Sequence, residues 1–166
     1  MNTTLLFDFS IDRENKEIHV QREFVASLKL IWDAWTKPEM LDEWWAPKPY
    51  KTRTKSMDFR VGGSWIYSMV SPENTQWCKI EFKKIEVRKS FVVLNGFCNE
   101  DGVINPESPL MEWNNSFSER GGITLLDVVI RFENISDLEK IVAWGFKEGF
   151  TKALGNLDEY LEDQSK

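Results

Sequence analysis

Few residues in this 166-residue chain are of a type that does chemistry. His19 is the only histidine, and it sits inside the alternating run EIHVQREFVA. A general base needs an imidazole held near the proton it takes. A zinc site needs three or four Cys, His or carboxylate ligands. One histidine in a strand supplies neither, so His19 reads as a surface or structural residue, and neither metal nor cofactor is expected. Cys78 and Cys98 are the only cysteines and form no CxxC pair. That usage suits a reducing, cytoplasmic setting and two small, mostly buried thiols. No GxSxG, P-loop or GxGxxG occurs, and Gly62-Gly63 alone marks a hairpin or bulge.

Carboxylates remain. Asp58, between Met57 and Phe59, points to the sheet face opposite theirs. Glu112 precedes Trp113 on a strand, so one of the two faces outward. Glu148, beside Gly149 on a helix, is the better candidate for a carboxyl raised in pKa by an apolar hollow. A salt-bridged or solvated carboxylate is the plainer reading of all three. No catalytic residue is assigned.

The aromatic set is the more specific signal. The chain holds 8 Trp and 11 Phe, and residues 35 to 50, WTKPEMLDEWWAPKPY, carry three of the tryptophans among three prolines. Phe59, Trp65, Tyr67, Met69, Phe82 and Trp113 all fall on the inward face of different strands by period two. They either fill a core beneath a covering helix or line a partly open apolar cavity. In the second case Tyr67 and the indole N–H of Trp65 or Trp113 would be the polar anchors such pockets carry.

These side chains need elements to hold them. Leu5, Phe7, Phe9 and Ile11, then Ile18, Val20 and Phe24, alternate around RENK, which predicts an opening β-hairpin. From Ser27, a plausible N-cap, SLKLIWDAW has helical spacing. Pro38 ends that helix and suits the first turn of another, capped by Thr36 or Lys37. Pro47 and Pro49 force an extended exit. Residues 50 to 133 read as successive strands, with NEDGVINPESP the longest loop. Ser136 and Glu139 match a capping box, and Val142, Phe146, Phe150, Leu154, Leu157 and Leu161 form one stripe. This predicts a single helix over roughly 136–162. Gly145 and Gly149 lie inside it, each costing about 1 kcal/mol against alanine. Close approach of something bulky, a tryptophan for instance, would compensate. Strands and helices segregated in this way predict an α+β fold, with one antiparallel sheet covered by the terminal helix. No internal repeat or linker is present, so residues 1–166 are expected to form one domain.

Composition removes some functions. Lys plus Arg is 21 against 27 Asp plus Glu, a net charge of −6, and no basic stripe is visible. Nucleic acid is therefore not an expected partner. The local cluster Lys48, Lys51, Arg53 and Lys55 reads as a solvated strand face. No run of about 18 apolar residues suggests a membrane span. NTTLLFDFSID after Met1 lacks the basic start of a signal peptide and is broken by Asp8 and Asp12.

Three stretches, AWTKPEMLDEWWAP, MDFRVGGSW and GFKEGFTKALGNLDEYL, occur in this order. Together, over residues 17 to 163, the chain resembles the activator-of-Hsp90-ATPase homologue-like (AHSA-type) family of the START-like, Bet v-like, helix-grip (SRPBCC) superfamily. The resemblance implies a curved antiparallel sheet gripping a long C-terminal helix, with two short helices between the first strands and residues 1–16 as an added N-terminal strand. It places the Trp-Trp-Ala-Pro segment at one mouth of a helix–sheet cavity, with Trp35 and one of Trp44 and Trp45 anchoring the short helices. No shared catalytic motif transfers. The expected function is non-catalytic binding of an apolar or amphipathic small molecule by Trp45, Phe59, Trp65, Tyr67, Met69, Trp113 and Trp144. The alternatives are a protein-interaction module with a chaperone partner, and a cyclase- or hydrolase-like enzyme using Tyr67 or Glu148. A monomer or weak homodimer is expected.

Overall fold

The computed structural model describes residues 5–164. The opening alternation forms β1 (Phe7–Asp12) and β2 (Glu17–Phe24), joined by a turn in which Asp12 accepts from the Asn15 backbone and side-chain amides. The strand begins at Phe7 rather than Leu5, and residues 1–4 of the expected extension lie outside the described residues.

Helix α1 (Leu28–Thr36) starts where Ser27 Oγ accepts from the Leu30 N–H at 3.1 Å. Helix α2 (Pro38–Trp44) follows at once: Lys37 closes α1 and opens α2, and Pro38, which has no N–H to lose, stands in the first turn. Then come β3 (Lys51–Met57), β4 (Ser64–Val70), β5 (Thr75–Glu86), β6 (Ser90–Cys98), β7 (Met111–Arg120) and β8 (Ile123–Arg131). All pairings are antiparallel, in the order β1-β2-β8-β7-β6-β5-β4-β3, so the first hairpin joins the last strand. Bulges at Thr54/Ser56 and Phe82/Lys84 accompany the bending of the sheet. Gly63, between β3 and β4, is obligatory: a Cβ there would lie 2.1 Å from the Asp58 carbonyl oxygen.

The terminal segment departs from the single helix expected over 136–162. It forms α3 (Ile135–Ala143) and α4 (Phe146–Gln164). Asn134, not Ser136, caps the first, its Oδ1 accepting from the Asp137 N–H at 2.8 Å. Gly145, at φ +88°, closes it. Gly145 is therefore a helix-ending residue in the left-handed region, which glycine occupies without steric cost. The close-approach explanation also fails at Gly149, where an added Cβ would meet only Pro47 Cγ at 3.8 Å, an ordinary contact. The apolar stripe survives the break: Phe150, Leu154, Leu157 and Leu161 are buried, with Val142 and Phe146 partly so.

α4, about 28 Å long at 1.5 Å per residue, lies in the concave side of the sheet. Arg22 of β2 is ion-paired with Asp158, and Asn156 Nδ2 donates to the Ala46 carbonyl at 2.9 Å and the Trp44 carbonyl at 3.4 Å. The second tie fixes the segment that leaves α2. The fold is α+β: a curved eight-stranded antiparallel sheet gripping a long C-terminal helix.

Candidate functional site

The three indoles of residues 35 to 50 divide their work. Trp35 and Trp44 are buried against each other, ring centroids 5.0 Å apart, and Trp44 Nε1 donates to the Ala34 carbonyl at 2.9 Å, tying α2 to α1. Trp45, the C-cap of α2, stands edge-on to both, 5.3 Å from Trp44 and 5.5 Å from Trp35, and reaches on to the sheet. Its Nε1 donates to the Tyr67 hydroxyl at 2.9 Å, and its ring meets Trp65 and Trp113, each at 5.8 Å.

Beyond this face of Trp45 lies a cavity of about 210 Å³. Tyr67, Met69, Cys78, Asn95, Phe97, Met111 and Trp113, on four neighbouring strands, form one wall. Trp45 and Pro47 form a second. Ile141 of α3, the Trp144–Phe146 junction and one face of α4, including Phe150 and Ala153, form the third. Period-two alternation puts the sheet residues on one face, and the break at Gly145 sets the α3–α4 junction over the cavity. Among the described residues no charged side chain lines it.

Five of the seven expected site residues are brought together here: Trp45, Tyr67, Met69, Trp113 and Trp144. Two are not. Phe59 packs instead against Trp32, Phe82 and Phe91, at 6.1, 4.9 and 5.9 Å, near the far end of the core. Trp65 is stacked on Tyr67 at 4.1 Å and donates to Thr54 Oγ1 at 3.0 Å, one layer behind the cavity. Trp45 is also deeper than expected: it is a buried wall, and the position at the edge belongs to Trp144, which is 61% exposed. Trp144 and Phe97, centroids 6.0 Å apart, separate the cavity from a shallow surface recess that also includes Cys98 and Asn105.

Sequence reasoning missed Asn95. In β6 the inward positions are Phe91, Val93, Asn95 and Phe97, so a carboxamide stands in an otherwise apolar row, opposite Ile80 on β5 and Met111 on β7. Asn95 is 6% exposed, and its side chain makes no hydrogen bond among the described residues. A polar residue at an inward position of an alternating strand is the signal that would have found it.

The titratable groups of the cavity are neutral. Burial pushes the Tyr67 phenol well above its ordinary value, the neighbouring Cys78 adding to this and the Trp45 N–H opposing it. Burial likewise pushes the Cys78 thiol up to about 12. Neither a thiolate nor a phenolate forms there at neutral pH, so the site offers no activated nucleophile. The other expected candidates are elsewhere. Glu148 and Glu112 are exposed. Asp58, also exposed, is ion-paired with Arg60. His19 Nε2 lies 2.8 Å from Glu17, whose carboxyl is held below its usual value by hydrogen bonds from His19 and Arg131. Asp12, Glu17 and His19 approach one another, yet both carboxylates already have partners, Asn15 for the first and Arg131 for the second.

A second hollow, of about 20 Å³, lies behind the first among Trp35, Trp65, Phe82, Trp113 and Asn115. Trp35 Nε1, Trp113 Nε1 and Asn115 Oδ1 are buried without hydrogen-bond partners among the described residues. A surface groove beside Trp44 carries charges of both signs, from Asp42 and Glu43 to Lys48, Lys51 and Arg53, and so selects neither sign of ligand.

Residues 25–162 match the family model described as Activator of Hsp90 ATPase homolog 1-like protein. Among solved structures, the chain is similar to a protein of Arthrobacter aurescens, with a TM-score of 0.88 and 24% identity over 94% of this chain and 91% of that one. It is similar also to a protein of Mycobacterium smegmatis, with a TM-score of 0.86 and 25% identity over 95% and 97%. An AHSA1 protein of Silicibacter pomeroyi shares the fold at a TM-score of 0.70 and 16% identity, over 89% and 99%. No curated protein matches the chain. Among the described residues, no helix is long and apolar enough to cross a membrane.

Proposed function

Since the chain belongs to the Activator of Hsp90 ATPase homolog 1-like family, whose fold encloses the cavity described above, we propose that it is a non-catalytic binding protein for a small apolar or amphipathic molecule. The observation that carries this reading is the cavity of about 210 Å³ with aromatic and thioether walls and no charged lining residue among those described. A ligand there exchanges water for apolar contact, at about 25 cal/mol per Å² of apolar surface buried. Met69 and Met111 give the wall an adaptable surface. The neutral Tyr67 and Cys78 argue against chemistry in the same space.

Binding stabilises the fold by mass action, about 2.7 kcal/mol at a hundred times the dissociation constant. A thermal-shift and tryptophan-fluorescence screen with neutral aromatics, aromatic acids, sterols and fatty acids tests this. At least one compound raises the melting temperature, and Tyr67→Ala weakens that rise more than Trp65→Ala, because only Tyr67 lines the cavity. A screen in which nothing binds, together with a crystal structure showing the space filled by side chains, overturns the reading.

The exposure of Trp144, 61% at the cavity edge, favours a second reading, an interaction module with a chaperone-type partner. Under it, Trp144→Ala abolishes stimulation of an Hsp90-type ATPase by this protein. No stimulation by the unaltered protein removes that reading.

A further inference from the structure

Resting on the cavity reading above, we infer that the ligand is an uncharged molecule of one or two rings carrying a carbonyl or amide group, anchored on the Asn95 carboxamide, and that carboxylates are excluded. Size comes first. About 210 Å³ is below the ~300–1,000 Å³ typical of pockets for drug-sized ligands, so a long acyl chain or a sterol does not fit inside. Charge comes second. A carboxylate buried without a cation is strongly disfavoured, and the cavity supplies no cation, its polar groups being the neutral Asn95, Tyr67 and Cys78. Its thiol and phenol are held neutral by the same burial, which shows how hostile this space is to charge.

The anchor comes third. A side-chain amide that opens onto an apolar cavity can pair only with what enters that cavity. Asn95 faces the cavity from an apolar row with both a donor and an acceptor free. The Tyr67 hydroxyl already accepts from Trp45 and keeps only its O–H, beside Cys78, so Asn95 is the one group in the cavity that offers a ligand both a donor and an acceptor. A carboxamide, lactam or similar group pairs with an asparagine side chain through one N–H and one C=O on each side.

Three probes of one shape test this: naphthalene, 2-naphthamide and 2-naphthoate, titrated by NMR at pH 7.5. 2-Naphthamide binds three- to tenfold tighter than naphthalene, the range of one or two neutral hydrogen bonds, and 2-naphthoate binds at least tenfold weaker than the amide. Asn95→Leu removes the advantage of the amide and leaves naphthalene binding at least as strong. Naphthoate equal to naphthamide in the unaltered protein overturns the inference without any variant, and so does an amide advantage that survives in Asn95→Leu. If naphthalene binds with no preference for the amide, only this inference falls. If none of the three binds, this inference falls, and the cavity reading is decided by the wider screen described above.

A separate observation supports a second inference. The geometry points to one internal water in the 20 Å³ hollow. Trp35, Trp113 and Asn115, each at least nine-tenths buried, are among its lining residues and own the unpartnered Nε1, Nε1 and Oδ1 atoms. A water needs roughly 10–15 Å³ and two to four polar partners, typically three. Here it accepts from the two indoles and donates to Asn115, and so fixes the tilt of Trp113, which with Trp45 walls both hollows. In protein labelled with 15N-tryptophan, the indole protons of Trp35 and Trp113 show direct NOEs to water. That of Trp44, bound to the Ala34 carbonyl, shows none. Asn115→Leu fills the hollow and removes both signals. Absence of the NOEs in the unaltered protein, or their persistence in Asn115→Leu, overturns the assignment.

Discussion

Adding one methyl group at Gly145 and at Gly149, four residues apart, has opposite effects on stability. At Gly149 the backbone is helical, the N–H donates to the Gly145 carbonyl at 2.9 Å, and a new Cβ touches only Pro47 Cγ at 3.8 Å. Gly149→Ala therefore gains the helix propensity of alanine, about 1 kcal/mol, with no compression to offset it. At Gly145, φ is +88°. An alanine there either holds a left-handed conformation at a cost of roughly 1–2 kcal/mol or forces α3 and α4 to realign, although the added Cβ meets nothing nearer than Glu148 Oε2 at 3.8 Å. The two variants thus differ by about 2–3 kcal/mol. For a chain of this length that is roughly 4–12 °C in melting temperature, at 2–4 °C per kcal/mol. Urea melts with the slope held common measure the difference directly. A loss of stability in Gly149→Ala would mean that the helix is packed there more tightly than described. A neutral Gly145→Ala would mean that the junction is not held in the left-handed region.

Further outcomes follow from individual contacts. Phe150 is 6% exposed and lies 5.4 Å from Trp113 and 5.5 Å from Phe146; Phe150→Ala costs about 3–5 kcal/mol in a urea melt, and under about 1 kcal/mol would deny α4 its place as cover. Tyr67→Phe leaves the buried Trp45 N–H without its acceptor and costs about 1–3 kcal/mol, read by the same melts. The Cys78 thiol, raised in the fold to about 12 from an ordinary 9, keeps its proton while the unfolded chain loses it. Its contribution is whole below pH 9 and is lost as pH rises towards 12. Cys78→Ala accordingly flattens the alkaline decline in stability, and an unchanged slope would show that Cys78 is not the group responsible. At pH 8 in the native state a thiol reagent modifies Cys98 and spares Cys78, checked by mass spectrometry.

Period two and period 3.6 were enough to read the order of elements, the helix pair around Pro38 and the apolar stripe of the terminal segment. They were not enough to read the break at Gly145. The residues before and after it keep one helical phase, so the stripe runs through unbroken while the backbone does not. The cue was there in a glycine directly after Lys140 to Trp144, the pattern of a helix ending. Alternation told which face of a strand each aromatic takes, and so recovered Tyr67, Met69 and Trp113. It carries no information on the position along a curved sheet or on where a strand stops, which is why Trp65, at another level of β4, and Phe59, two residues beyond the end of β3 at Met57, were grouped with them. Asn95 was passed over because the pattern was read for apolar residues. An inward polar residue weakens the strand signal at the very position where it matters for binding. The division of labour between Trp44 and Trp45 depends on where α2 ends, and boundaries are the least sharply encoded part of a helix.

The place of β8 between β2 and β7 has a consequence for the nascent chain. The Glu17–Arg131 pair joins residues 114 positions apart. A ribosome adding about 5–20 residues per second exposes the opening hairpin for several seconds before its neighbour exists. Over that interval β2 offers an open row of backbone donors and acceptors, the kind of edge on which chains pair with the wrong partner. Closing a loop of this length also puts the final pairing late in folding. Fragments that stop before Ile123 keep that edge open permanently, so ribosome-stalled chains of such length will be the most prone to aggregate and the most dependent on holding factors, whereas release of β8 converts the same surface into the middle of a sheet.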